Sequence, residues 1–281
     1  MKKMFFLLLI SGTVLSQPLT IEQSGNTIKT GSWEMGVEGG YGYDSWTVLG
    51  SASSLTKTDI MVSAFGRYAS DNKTEVFFSV PYKFLSGTTD GVADSVTGLG
   101  VINLMVKNQY LSLGDKGGLG LGVFANITAG DVTKVLVENA SDNNLGTGTG
   151  LGLLLANSFK AADFLVLDLD GSYEYKLLYT NAGGANIQEA PILALGIDGQ
   201  LLLMSNLTVI AEAKWTTFGN YLISGKDSGT GTGNTFDTVY GARFDIDKLR
   251  LKAGVDLSMG DTTNRQFNYR VFSAVSYIFE K

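Results

Sequence analysis

The chain has no cysteine and no histidine among its 281 residues. The first absence excludes disulfides and thiolate chemistry. The second excludes a Ser-His-Asp triad, a histidine metal site and the commonest general base. Proline is scarce at 3 while glycine is abundant at 36, a balance that suits long twisted strands and disfavours a disordered chain. Beyond the N-terminus there is no long uninterrupted apolar run, so any membrane span must be a strand. Positive charge is also in deficit: the net charge is −6, and −8 once Lys2 and Lys3 leave with a signal peptide, which argues against nucleic acid as a partner. No nucleotide motif or coupling box is present, so neither a cofactor nor an energy source is implied.

The N-terminus itself supplies a compartment. Lys2 and Lys3 form a basic start, Met4–Ile10 an apolar run and Val14-Leu15-Ser16 a small-residue cleavage pattern. That is the layout of a secretory signal peptide, too short to span a bilayer as a helix. The expected organisation is a signal peptide over 1–16, a short leader over 17–30 and a single remaining unit over 31–281.

That unit is built from about twelve segments in which apolar and polar residues alternate. In Glu75–Leu85, Val76, Phe78, Val80, Tyr82 and Phe84 fall on one side, with Glu75, Ser79 and Lys83 on the other. In Asp163–Lys176, Leu165, Leu167, Leu169, Tyr173 and Tyr175 oppose Asp168, Asp170, Glu174 and Lys176. Strand side chains alternate faces with period two, so each segment reads as a strand with one fully apolar surface. The strands fall near 31–43, 58–68, 74–85, 99–111, 118–127, 148–159, 163–176, 189–201, 206–218, 236–246, 249–259 and 266–279. A tilted strand needs about 9–11 residues to cross the hydrocarbon, whereas soluble strands average about 5–6. These segments have the membrane length.

The connections settle the class. Those at 44–57, 86–98, 128–147, 177–188 and 219–235 are long, and 260–265 is moderate. Those between them, Ala69–Lys73, Ser112–Gly117, Lys160–Ala162, Leu202–Ser205 and Asp247-Lys248, are tight. Short periplasmic turns alternating with long external loops define an all-β, antiparallel transmembrane β-barrel of about 12 strands in the bacterial outer membrane, both termini periplasmic. Aromatics sort by depth, with Tyr41, Tyr43, Tyr82, Phe84, Tyr173, Tyr175, Trp215 and Phe267 towards the outer rim. Tyr68, Tyr110, Phe159, Phe244, Tyr277 and Phe279 fall towards the inner one. Such belts mark the two membrane–water interfaces. Lipid cannot satisfy an open sheet edge, so the last strand must pair with the first. Its alternating Tyr277 and Phe279 suit recognition by barrel-assembly machinery, although Glu280 and Lys281 follow them.

Several motifs have two readings. Gly146-Thr-Gly-Thr-Gly-Leu-Gly152 and Gly229-Thr-Gly-Thr-Gly233 lack the Gly-Lys-Ser/Thr of a phosphate loop and read as loop flexibility and strand twist. Asp168-Leu-Asp-Gly171 lacks the further ligands of a calcium loop and reads as inward polar lining. Inward charges of both signs gather on the last four strands at Glu212, Lys214, Asp237, Arg243, Asp245, Arg250, Lys252, Asp256 and Arg270. They are either a selectivity lining for a polar solute or a self-neutralising network that packs a narrow lumen. Pro81 removes a ladder hydrogen bond inside a long strand, which is either a harmless bulge or a local lateral opening in the wall.

Four stretches resemble the outer-membrane "transporter" family of meta-pathway phenol degradation. They are Pro18-Leu-Thr through Gly31-Ser-Trp-Glu-Met-Gly-Val-Glu38, Phe78-Ser-Val-Pro-Tyr82, Thr97-Gly-Leu-Gly-Val-Ile-Asn-Leu104, and Asn268-Tyr-Arg-Val-Phe272 through Phe279. Val101 stands where that family usually carries Asp, which puts any role of that Asp in question here. The resemblance implies a barrel that admits hydrophobic or aromatic compounds. The leader, Gln17–Thr30, is too short for the plug domain of the wider class, but long enough for a small constriction.

The expected function is passive conduction of small hydrophobic or aromatic molecules, with membrane lipid and the solute as partners and no enzymatic activity. The alternatives are a general diffusion porin for polar solutes, and a sealed structural or surface-interaction barrel acting through loops 128–147 or 219–235. A hydrophobic transporter should have a constricted, partly apolar lumen. A diffusion pore should show opposed charge clusters across open water.

Overall fold

The computed structural model describes residues 29–47, 54–71, 73–89, 91–113, 116–129, 148–180, 186–220, 222–227, 233–260 and 269–280. The signal peptide, nearly all of the leader, most of loop 128–147, residues 229–232 and Phe267 lie outside the described residues.

Strands follow wherever the two-residue alternation runs. They are β1 (Trp33–Thr47), β2 (Ser54–Ala69), β3 (Thr74–Thr89), β4 (Val92–Leu99), β5 (Val101–Ser112), β6 (Gly117–Thr128), β7 (Gly150–Ala162) and β8 (Leu165–Lys176). After these come β9 (Tyr179–Thr180), β10 (Asn186–Gln188), β11 (Ile192–Met204), β12 (Leu207–Phe218), β13 (Leu222–Ile223) and β14 (Lys226–Asp227). The last three are β15 (Gly233–Ile246), β16 (Leu249–Gly260) and β17 (Tyr269–Phe279). Taking β4 and β5 as one wall strand and setting aside β9, β10, β13 and β14, twelve antiparallel strands close into a barrel. The seam is β17 against β1, in register from Trp33 opposite Phe279 to Tyr43 opposite Tyr269.

Several expectations need correction. The outer connection at 86–98 is a hairpin arm: β3 continues to Thr89 and β4 returns from Val92, with Gly91 in the turn at φ 83°. Likewise β1 and β2 stay paired up to Thr47 opposite Ser54. Beyond the membrane band the outward positions turn polar, so these arms read as loops; Thr58 and Ser86, for example, share a hydroxyl–hydroxyl hydrogen bond across the β2–β3 pair. The fourth wall strand is interrupted at Gly100. The outer connections after β8 and β12 are not bare loops either, for they contribute the small sheet β14-β13-β10-β9.

The periplasmic turns are tight. At one of them Asp71 accepts hydrogen bonds from the backbone N–H groups of Lys73 (2.7 Å) and Thr74 (2.6 Å), which hold its carboxyl below the usual range. The outside of the barrel is apolar, with Val37, Ile60, Leu104, Val123, Leu155 and Val275 all exposed. Aromatic pairs stand near both ends of that band. Trp33 stacks on Tyr68 at 4.3 Å on the periplasmic side, and Tyr82 meets Phe84 at 5.1 Å on the outer side.

Candidate functional site

The lumen is the candidate site, and its two halves differ. On the side of β1 to β7 and β17 the middle is apolar: Phe65, Phe77, Met105, Phe124 and Leu154 pack into one buried cluster with Ala156 and Ala274, and Phe272 is buried nearby. Three of the rings are seated on glycines directly across a strand pair: Phe65 on Gly36, Phe124 on Gly152 and Phe272 on Gly254. A Cβ added at Gly152 would lie 2.1 Å from the Phe124 ring, and one at Gly254 2.6 Å from the Phe272 ring. The missing side chains let the rings lie against the wall instead of standing into the lumen.

At the periplasmic end the charges pair. Glu34 accepts from Arg67 (2.6 Å), Arg250 (3.2 Å) and the Ser276 hydroxyl (2.6 Å). Arg250 also reaches Asp245 at 2.9 Å, and Arg243 reaches the same carboxylate at 3.3 Å. Glu75 and Lys107 form a separate buried pair at 3.6 Å. Towards the outer end a polar chain crosses β5, β6 and β8. Asn103 donates to Asn126 (2.6 Å), Asn126 to Glu174 (3.0 Å), and Lys176 pairs with Glu174 (2.8 Å). On the neighbouring strands Arg270 faces Asp59 at 3.5 Å, and Lys57 and Lys83 are buried in the same quarter.

The middle of the other half is acidic. Asp168, Asp170, Asp198, Glu212, Asp237 and Asp256 point inward from β8, β11, β12, β15 and β16, with Lys214 among them. Gln200 donates to Asp168 at 2.7 Å, and Ser258 and Asp237 share a hydrogen bond at 2.5 Å. The inward side chains opposite are buried, whereas Asp170, Asp198, Glu212, Lys214 and Asp237 are only half-buried. The residual space in the lumen therefore runs along this acidic wall.

Glu75, Lys83, Asp168, Asp170, Glu212, Lys214, Arg243, Arg250, Lys252, Asp256 and Arg270 all stand on interior faces. The structure does not gather them in one place: the basic residues of β15 and β16 sit in the periplasmic network, apart from the acids. Val101 also faces inward and is fully buried, at the level where β4 gives way to β5. A partly apolar lumen was expected, but the residues of this inward layer were not singled out, and they leave a trace in the chain. Wherever an inward position is apolar the alternation breaks into a run, as in Val76-Phe77-Phe78, Met61-Val62, Leu153-Leu154-Leu155 and Val271-Phe272.

Pro81 faces inward and is buried. Its carbonyl accepts from the Gly100 N–H at 2.9 Å, so the missing N–H falls on the same side, at the seam with β4 and β5. There the register changes from Ser79 opposite Asn103 to Tyr82 opposite Leu99, a one-residue bulge centred on Gly100. The β2–β3 ladder on the other side runs past Pro81 without a shift. Outside the wall, an apolar groove of about 870 Å³ runs over β3, β5, β6, β7 and β8 and includes Phe78, Leu104, Val123, Leu153 and Tyr173 in its lining.

No family model matches the sequence, and no curated protein matches it. Solved structures do. An outer membrane channel from Pseudomonas putida F1 superposes with TM-score 0.75 at 16% identity, over 90% of this chain and 97% of that one. The translocator domain of the autotransporter NalP from Neisseria meningitidis reaches 0.53 at 12% identity, over 90% and 89%. The transport unit of the autotransporter AIDA-I from Escherichia coli also reaches 0.53 at 12%, over 96% and 95%. At such identities the likeness is one of architecture: the chain has the fold of an outer-membrane β-barrel.

Proposed function

We propose that this chain is an outer-membrane channel that passively conducts small hydrophobic or aromatic molecules. The observation that carries the reading is the buried apolar layer of Phe65, Phe77, Met105, Phe124 and Leu154 on the interior of a membrane barrel, where a water-filled pore would be polar. The architecture shared with the Pseudomonas putida outer membrane channel supports it. A general polar pore would instead place opposed charge clusters across the lumen; here the acidic wall faces aromatic and aliphatic side chains. In a chain without histidine the usual hydrolytic machinery has no general base. Membrane lipid is the surrounding partner, and insertion falls to the assembly machinery that reads the terminal strand.

The test is uptake by proteoliposomes of a neutral aromatic such as benzyl alcohol against a sugar of similar size. Selective entry of the aromatic is the expected result. Equal entry of both would sink the reading in favour of a general pore. The lateral exit proposed at Pro81 draws support from the seam at Gly100 and from the apolar groove outside the neighbouring strands. Restoring the N–H with Pro81→Val should slow aromatic uptake, and unchanged uptake would remove the lateral route.

A further inference from the structure

Three carboxylates stand side by side inside the barrel. Asp168 of β8 is in register with Asp198 of β11, and Asp198 is in register with Glu212 of β12. Like charges directly opposite one another on adjacent strands destabilise a sheet. Asp256 lies two strands further round, reached from Glu212 through Val239. It is fully buried, and neither of its carboxylate oxygens has a hydrogen-bond partner in the protein. The cations that face this row are few. Lys214 is one inward step from Glu212; Arg270 stands in register with Asp256 but reaches Asp59; Lys107, which also faces Asp168, is paired with Glu75; and Lys252 belongs to the periplasmic end. A fold that keeps a row of repelling carboxylates on its open acidic wall, with buried oxygens of Asp168, Asp198 and Asp256 left without a hydrogen bond, violates a local rule, and such violations concentrate at functional sites.

The shape of the row limits what it takes. Among the described residues no three acidic side chains converge as they would around a metal ion. A wall suits a cationic group that can lie along it. Six strands away around the twelve, and so diametrically opposite Asp198 and Glu212, stand Phe65 of β2 and Phe77 of β3. We propose that the middle of the lumen binds solutes with an aromatic body and a protonated amine head, the head on Asp168, Asp198 and Glu212 and the ring on the Phe65–Phe77 side. This rests on the channel reading above and narrows its solute class. The acids desolvate less when an ammonium ion accompanies them, and the ring replaces water against an apolar surface.

The probes are benzylammonium, benzyl alcohol and benzoate, one ring with three charges, offered to the mature protein in proteoliposomes. The wild type should take up benzylammonium several-fold faster than benzyl alcohol and nearly exclude benzoate, and a KCl gradient should show potassium preferred over chloride. In the D168N/D198N/E212Q variant, with folding checked by its heat-sensitive gel mobility, the ratio of benzylammonium to benzyl alcohol uptake should fall several-fold. Asp163→Asn, at the periplasmic turn, should leave that ratio unchanged. An unaltered ratio in the triple variant, or benzoate uptake equal to that of benzylammonium, overturns the assignment. Loss of benzyl alcohol uptake alone overturns the neutral-solute reading and leaves this site standing. No uptake of any probe by folded protein overturns both.

Discussion

At Gly152 the absence of a single carbon atom shapes the lumen, because a Cβ there would meet the Phe124 ring at 2.1 Å. The ring cannot move outward, since the backbone of the wall is behind it. Gly152→Val should therefore turn Phe124 into the lumen, at a cost of about 1–3 kcal/mol from overpacking. Aromatic uptake should drop several-fold while the barrel still folds. Adding Phe124→Ala to that variant should restore uptake, and failure to restore it would show that the ring is not the obstruction. Nothing in the alternation of Gly150 to Leu155 marks Gly152 as a seat for Phe124, because the pairing depends on the β6–β7 register. Residues facing lipid or lumen were legible from period two alone. Which inward residues touch one another was not.

Among the elements, the small sheet of β9, β10, β13 and β14 beside the mouth has a titratable anchor. Glu189, just ahead of β11 and beyond the membrane band, accepts from the Gly148 N–H (3.2 Å) and the Tyr179 hydroxyl (3.3 Å). Burial pushes its carboxyl up from 4.5 to about 7, although Lys176 stands 4.0 Å away and pulls the other way. Between these values the folded loop holds a proton that the unfolded loop releases. The anchor's contribution is thus complete below about pH 4.5 and is lost as pH rises through about 7. Protease cleavage within 177–191 should slow as pH falls from about 8 to about 5, and Glu189→Gln should flatten that dependence. The long outer connections were visible in the sequence as wherever alternation stopped, yet β10 is only three residues and β13 only two. Pieces so short carry no period of their own, and what joins them into one sheet is the pairing of β10 with β13, more than thirty residues apart, as between Ile187 and Ile223.

The whole molecule is an inverted solvent problem, with apolar residues outside and most charge within. Leu155 faces lipid near the middle of β7, so Leu155→Arg should destabilise the folded barrel by about 2–4 kcal/mol, measured by denaturant unfolding in lipid vesicles. A loss below about 0.5 kcal/mol would mean that this face is not at mid-membrane. Strand number, the alternation of tight and long connections and the closing strand could all be read from the chain, because hydrophobic period and turn length act locally. The division of the lumen into an apolar and an acidic half could not. It arises from stacking Asp168, Asp198 and Glu212 across strands, and only closure brings them to face Phe65.

Closure has a temporal consequence as well. The partner of Trp33 on its other side is Phe279, more than two hundred residues later in the chain. The first strand therefore keeps one edge bare until the closing strand has been made and exported. No partial chain can seal itself, and each unfinished intermediate is a template for aggregation. The barrel is thus an all-or-nothing object whose earliest strand must be guarded until its latest one arrives.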